Sequence, residues 1–106
     1  MPRINRLPSS EISRVMRYGK RIPGDFFQII EQKNEVDVSR FAIIVSTKID
    51  KRATRRNRMR RLLSESIRHL LPRLTISLDR IVIVRKDFST LREPEVEKMV
   101  AHALRL

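Results

Sequence analysis

The sequence predicts an α+β fold with the element order helix, strands, helix, strand, helix, an αβββαβα-like sandwich around a mixed sheet. Three observations carry this. Apolar residues recur at three- to four-residue steps in three separate segments, short β-branched and aromatic runs lie between them, and the last strand stands far enough from its predecessor for a helical crossover. With 106 residues, no cysteine and 41% hydrophobic residues, the chain suits one core held by packing alone. Residues 1–106 are therefore read as a single domain without disulfides or thiolate metal sites.

Each element has its own signals. Pro8-Ser9-Ser10-Glu11 offers a serine N-cap, Ile12, Val15 and Met16 fall at i, i+3 and i+4, and Gly19 stands where a left-handed C-terminal residue is wanted. This predicts a helix over about Ser9–Tyr18. After Pro23-Gly24, the runs Phe26–Ile30 and Phe41–Val45 read as an antiparallel hairpin turned at Lys33-Asn34-Glu35, with Lys20–Ile22 as a short edge piece. From Thr54 the period lengthens, and Met59, Leu62, Leu63, Ile67 and Leu70 form one apolar stripe on a helix that Pro72 stops. Ile81–Val84, set between Arg80 and Arg85, is a buried strand expected to lie parallel to Phe41–Val45. Pro94 opens the last helix, Glu93, Glu95 and Glu97 suit its first turn, and Val96, Met99, Val100, Ala103 and Leu104 form its buried stripe.

Charge narrows the function. The chain carries 24 Lys+Arg against 12 Asp+Glu, a net charge of +12, which in a folded domain points to a polyanionic partner. No apolar stretch is long enough to span a bilayer, and no apolar segment follows Arg3 and Arg6 as in a secretion signal, so a cytoplasmic protein without membrane contact is expected. Between Lys48 and Arg61 stand eight basic residues and the single acid Asp50, a local excess of +7. Around the predicted helix axis Asn57 and Arg61 point away from the apolar stripe, Arg58 and Arg60 flank it, and Arg55 and Arg56 lie one turn before it. Cations at a helix N-terminus oppose its dipole by several tenths of a kcal/mol each, so stability does not explain them. Six of the eight are arginine, whose planar fork matches phosphate oxygens.

Signals of protein-borne catalysis are weak. His69 and His102 show no ligand spacing to a second histidine or carboxylate, and capping accounts for Glu93, Glu95 and Glu97. Two glycines, Gly19 and Gly24, cannot make a phosphate-cradling loop, and no base pairs with Ser46 or Thr47. A metal-dependent nuclease would need acids such as Asp50 or Glu65 at the basic cleft.

The run Phe41-Ala42-Ile43-Ile44-Val45-Ser46-Thr47-Lys48, followed by Arg55-Arg56-Asn57-Arg58-Met59-Arg60-Arg61-Leu62-Leu63, resembles the signature of the protein component of bacterial ribonuclease P. That signature is a strand ending in Val-Ser-Lys-Lys, a short loop and an Arg-Asn-Arg helix, and the element order resembles the family fold over nearly the whole chain. The resemblance implies a subunit of a ribonucleoprotein endoribonuclease in tRNA processing. Such a subunit binds the catalytic RNA and the 5′ leader of precursor tRNA, while the RNA and its Mg²⁺ carry out the cleavage. It implies no cofactor on the protein, no protein partner, and a left-handed crossover between the parallel strands, against the usual hand. The matching RNA contacts are Lys48, Lys51, Arg52, Arg55, Arg56, Asn57, Arg58, Arg60 and Arg61. The leader cleft would lie between the first helix and the sheet, at Ile12, Met16, Phe27 and Ile30. The chain departs from the family pattern in its aliphatic cleft, in Asp50 where glycine is common, and in ending at Leu106 without a basic tail. A structural, ribosomal-type RNA-binding protein is the alternative that explains the same charge.

Overall fold

The computed structural model describes residues 1–106 as three layers, with one helix on one face of a four-stranded sheet and two helices on the other. Helix α1 spans Ser9–Tyr18, strands β1, β2 and β3 span Lys20–Ile22, Phe27–Lys33 and Arg40–Ile44, helix α2 spans Ala53–Leu70, strand β4 spans Leu78–Val84, and helix α3 spans Glu93–Ala103. The α+β class, the element order and the predicted helix limits agree with this.

Strand pairing differs from the expected hairpin. The sheet order is β1-β2-β4-β3, so β4 lies between β2 and β3, antiparallel to the first and parallel to the second. The reason is burial: Ile81, Val82 and Val84 are buried on both faces of β4, which fits a central strand, and Asn34–Ser39 makes a longer link than a tight turn. Strand β3 becomes an edge, and the N-terminal segment covers part of it through the Leu7 N–H, which donates to the Phe41 carbonyl at 2.8 Å.

Alternation along the strands divides the core in two. Phe27, Ile29, Phe41, Val82 and Val84 face α2 and α3 and meet Met59, Leu63, Ile67, Val96 and Val100. On the other face Val15 of α1 packs with Leu7, Ile30 and Ile81. Two cap expectations change. Pro8, not a serine, holds the N-cap of α1, without a side-chain bond. Gly19 is extended (φ −72°) and not left-handed; it is glycine because a Cβ there would lie 2.5 Å from the Val15 carbonyl oxygen and 2.6 Å from Ile30 Cγ2. The left-handed residue is Arg105 (φ 60°), which closes α3 as its N–H and that of Leu106 donate to the His102 and Ala101 carbonyls.

A buried charge network fixes α1 over the sheet. Asp79, fully buried at the head of β4, accepts from Arg14 Nη2 at 2.5 Å, Asn34 Nδ2 at 2.8 Å, and Arg40 Nε and Nη2 at 2.8 and 2.9 Å. It thus ties α1, the β2–β3 link and β3 to one point.

Candidate nucleic-acid interface

The parallel strands β3 and β4 run in register to Ile44 and Ile83, so the segments that follow them leave the sheet at the same end. The first leads through residues 45–52 into α2; the second, residues 85–92, leads into α3. The arginine-rich start of α2 therefore stands at a sheet end formed by two loops and two helix N-termini.

The geometry there shows how the cations are held. Asp50 is buried and accepts from the Arg52 backbone N–H at 2.8 Å and the Arg52 guanidinium at 3.1 and 2.9 Å. These Arg52 donors hold its carboxyl far below the ordinary carboxylate range. This acid thus anchors the entrance to α2. Arg56 donates to the Asp50 and Lys51 carbonyls at 3.0 and 2.8 Å, and Arg60 to Asn57 Oδ1 at 2.9 Å and the Val45 carbonyl at 3.3 Å. Arg55 reaches Ser89 Oγ at 3.3 Å, and Arg58 reaches the Ser89 and Leu91 carbonyls at 2.7 and 3.2 Å.

Of the eight cations only Arg52 has a carboxylate partner. Arg55, Arg56, Arg58 and Arg60 bond neutral acceptors, which orient the guanidinium without cancelling its charge, while Lys48, Lys51 and Arg61 stand exposed in solvent. The structure brings all nine predicted residues, including exposed Asn57, to one end of the molecule. The charged first turns of α2 are tied down by loop carbonyls on both sides, and the first residue of its stripe, Met59, is fully buried.

The four predicted cleft residues do not form one cleft. Ile30 is fully buried under α1, and Phe27 faces the opposite core, stacked edge-on against Phe88 at 5.2 Å between ring centroids. Phe27 and Ile30 differ by an odd number of strand positions, which puts them on opposite faces. Ile12 and Met16 do lie together, half-buried on this face of the sheet with half-buried Ala42, Ile44 and Ile83 packed against the same cluster. Gln28, Ile83 and Ile44 align across three strands and carry this face of the sheet on to the end where Lys48 and α2 begin.

His69 also differs from expectation. It lies at the contact of α2 and α3, with Nδ1 2.7 Å from Glu97 and 3.7 Å from Glu93, and Nε2 3.9 Å from Glu65. Glu65, His69 and Glu93 each place a ligand atom within 4.8 Å of the others, a spacing across two helices that sequence separation hides. Arg68 already pairs Glu65 at 2.8 Å, and the group serves as an exposed bridge between the helices. Glu95 has the capping role expected of it, accepting from the Arg92 N–H at 2.9 Å. A cavity of about 370 Å³ lies between the β1–β2 turn and α3 and is lined by Ile22, Phe26, Met99 and His102 among others. No helix is long and apolar enough to cross a membrane.

Comparison with known proteins decides the family: the model of the family described as Ribonuclease P matches residues 1–106. The chain belongs to the ribonuclease P protein family. The ribonuclease P protein component of Pseudomonas aeruginosa strain LESB58 is 33% identical over 78 residues, covering 74% of this chain and 57% of that protein, so the match spans little more than half the relative's length. The ribonuclease P protein component of Thermotoga maritima is 34% identical over 88 residues, covering 74% of each chain. The solved structure of the Thermotoga maritima ribonuclease P protein superposes with a TM-score of 0.81 at 27% identity, covering 95% of this chain and 96% of that one.

Proposed function

We propose that this ribonuclease P family protein is the protein subunit of ribonuclease P. It binds the catalytic RNA through Lys48, Lys51, Arg52, Arg55, Arg56, Asn57, Arg58, Arg60 and Arg61 and assists removal of the 5′ leader from precursor tRNA in the cytoplasm. The observation that carries this is the adjacency of two surfaces: an end where the eight cations of residues 48–61 share a single ion-pair partner, Asp50, and the partly buried apolar face of the sheet beside α1 that leads to it. Phosphates suit the first, and the bases of a single strand suit the second.

The reading assigns the chemistry to the RNA and to Mg²⁺ held by RNA. Carboxylates at the basic end are engaged in holding the protein: Asp50 by Arg52, Asp87 by the Ser89 N–H at 2.8 Å, and Asp25 by Lys86 at 2.7 Å. The chain supplies charge neutralisation and position. Added to its cognate catalytic RNA at low Mg²⁺, it should raise the rate of precursor tRNA cleavage; no stimulation would overturn the proposal.

The apolar sheet face beside α1 makes a separate prediction. Met16 is half-buried there, so Met16→Ala should weaken binding of precursor tRNA to the holoenzyme while leaving mature tRNA, which lacks the leader, unchanged. Equal effects on both would reduce Met16 to a packing residue.

A further inference from the structure

Two pairs of side chains meet across the contact of α2 and α3. Glu65 and His69 stand four residues apart on α2, and Glu93 and Glu97 four apart on α3, so each helix presents its pair from one face. Arg68 Nη2 lies 3.0 Å from His69 Nε2. A guanidinium only donates, so this nitrogen carries the ring's lone pair and Nδ1 carries its proton. The Nδ1–H donates to Glu97 at 2.7 Å. An imidazole whose N–H is held by a carboxylate while its other nitrogen keeps a lone pair is oriented as metal-ligating histidines are. Glu65 stands 3.9 Å from Nε2, and Glu65, His69 and Glu93 each set a ligand atom within 4.8 Å of the others. Beside them, Glu65 and Glu93 line a surface depression of about 220 Å³ that Arg58, Arg61 and Leu62 complete. In a chain with a large excess of positive charge, three carboxylates thus meet here, and Arg68 is the one guanidinium paired with any of them.

We propose that Glu65, His69 and Glu93 form a structural site for a divalent transition ion of the zinc class, with Glu97 as the positioning residue that orients the imidazole. One nitrogen and two carboxylates suit zinc, whereas Mg²⁺ and Ca²⁺ take oxygen ligands. Tetrahedral ligands of zinc lie roughly 3.3–3.6 Å from one another, so these side chains must close by about 1.5 Å at most. Half-exposed glutamates make such a movement by rotating about their own bonds. A water in the depression completes the tetrahedron. Arg68 leaves His69 and Glu65 when the ion arrives, and its pair with Glu65 is a half-exposed surface pair whose loss costs little. Of the two arginines lining the depression, Arg58 is directed to the Ser89 and Leu91 carbonyls, and Arg61 is exposed and free to turn into solvent. The ion takes no part in cleavage; it clamps the second half of the arginine helix to α3. The proposal is independent of the RNA-binding reading.

Isothermal titration of the full chain, purified free of metal, with zinc chloride in a non-coordinating buffer tests this without RNA. One ion should bind per chain, and at about 100 times its Kd it should raise the thermal midpoint by roughly 10–20 °C. Co²⁺ bound in place of zinc should show the visible absorption of a four-coordinate ion. His69→Ala should abolish both signals while keeping the wild-type circular dichroism, since His69 is half-exposed. Glu65→Gln keeps the shape of the side chain and should weaken zinc binding about 10-fold or more. Glu97→Gln still accepts from Nδ1 but no longer as a carboxylate, and should weaken binding about 10- to 100-fold and shift the Co²⁺ bands. His102→Ala, at the other histidine, is the control and should bind zinc as the wild type does. The absence of stoichiometric binding, binding that survives His69→Ala, or binding lost in His102→Ala would each overturn the site. Unchanged affinity in Glu65→Gln would overturn the ligand set, and wild-type affinity and spectrum in Glu97→Gln the positioning role.

Discussion

Replacing Asp79 by alanine should cost about 3–5 kcal/mol of folding stability, the range for removing one member of a buried ion-pair network. In a domain this small that lowers the thermal midpoint by at least about 12 °C. Asp79 is fully buried and accepts from Arg14, Asn34 and Arg40. Its removal leaves two guanidinium groups facing a desolvated gap, with Glu11, 3.1 Å from Arg14 and 3.9 Å from Arg40, as the one remaining acid and the Gln32 side-chain oxygen as a neutral acceptor for Arg14. Asp79→Asn keeps the shape and one acceptor but loses the charge, and should fall between wild type and alanine. Urea denaturation followed by circular dichroism measures both; a loss under about 1 kcal/mol would place the network among surface pairs.

The same carboxylate fixes a pH dependence. Burial pushes its pKa up, but donors on Arg40, Asn34 and Arg14 together outweigh burial and leave it below the ordinary carboxylate value. The group therefore binds its proton more weakly in the folded than in the unfolded chain. Its contribution is complete above the unfolded pKa of about 3.9 and is lost as pH falls through the lower folded value. The wild-type protein should lose stability below about pH 4, and Asp79→Asn should show a flatter acid limb. Because Asp79 anchors α1, the variant should also loosen the packing of Ile12 and Met16 against the sheet.

The helices were legible because each carries a complete local signal: a stripe at helical spacing with Pro8 or Pro94 at the start and Pro72 or Gly19 near the end. Strand identity was legible for the same reason, strand order was not. The place of β4 between β2 and β3 depends on which strand is apolar on both faces, and Arg80, buried in β4 beside the Phe41 ring at 5.5 Å, disguises that strand's true length. The arginine helix was legible from charge alone, since its residues are contiguous. The Asp79 network and the His69 group were not, because each joins residues from distant segments. Phe27 is a different case, in which the two-residue strand period already separates it from Ile30.

Changing Lys48, Lys51 and Arg61 together to alanine should weaken binding to the catalytic RNA about 100-fold near 0.15 M salt and lower the salt slope by roughly 2–2.7. These three were chosen by their surroundings. They stand exposed and form no ion pair, so their loss removes positive charge without leaving any buried group unpaired, and stability should stay within about 0.5 kcal/mol of wild type. Arg52 would be a poorer probe, since its guanidinium and backbone N–H both hold Asp50 and its removal disturbs the entrance to α2. An unchanged thermal midpoint with a reduced slope assigns the loss to phosphate contacts. A slope change below one unit in the triple variant would mean that the charge gathered at this end of the sheet does not face the RNA.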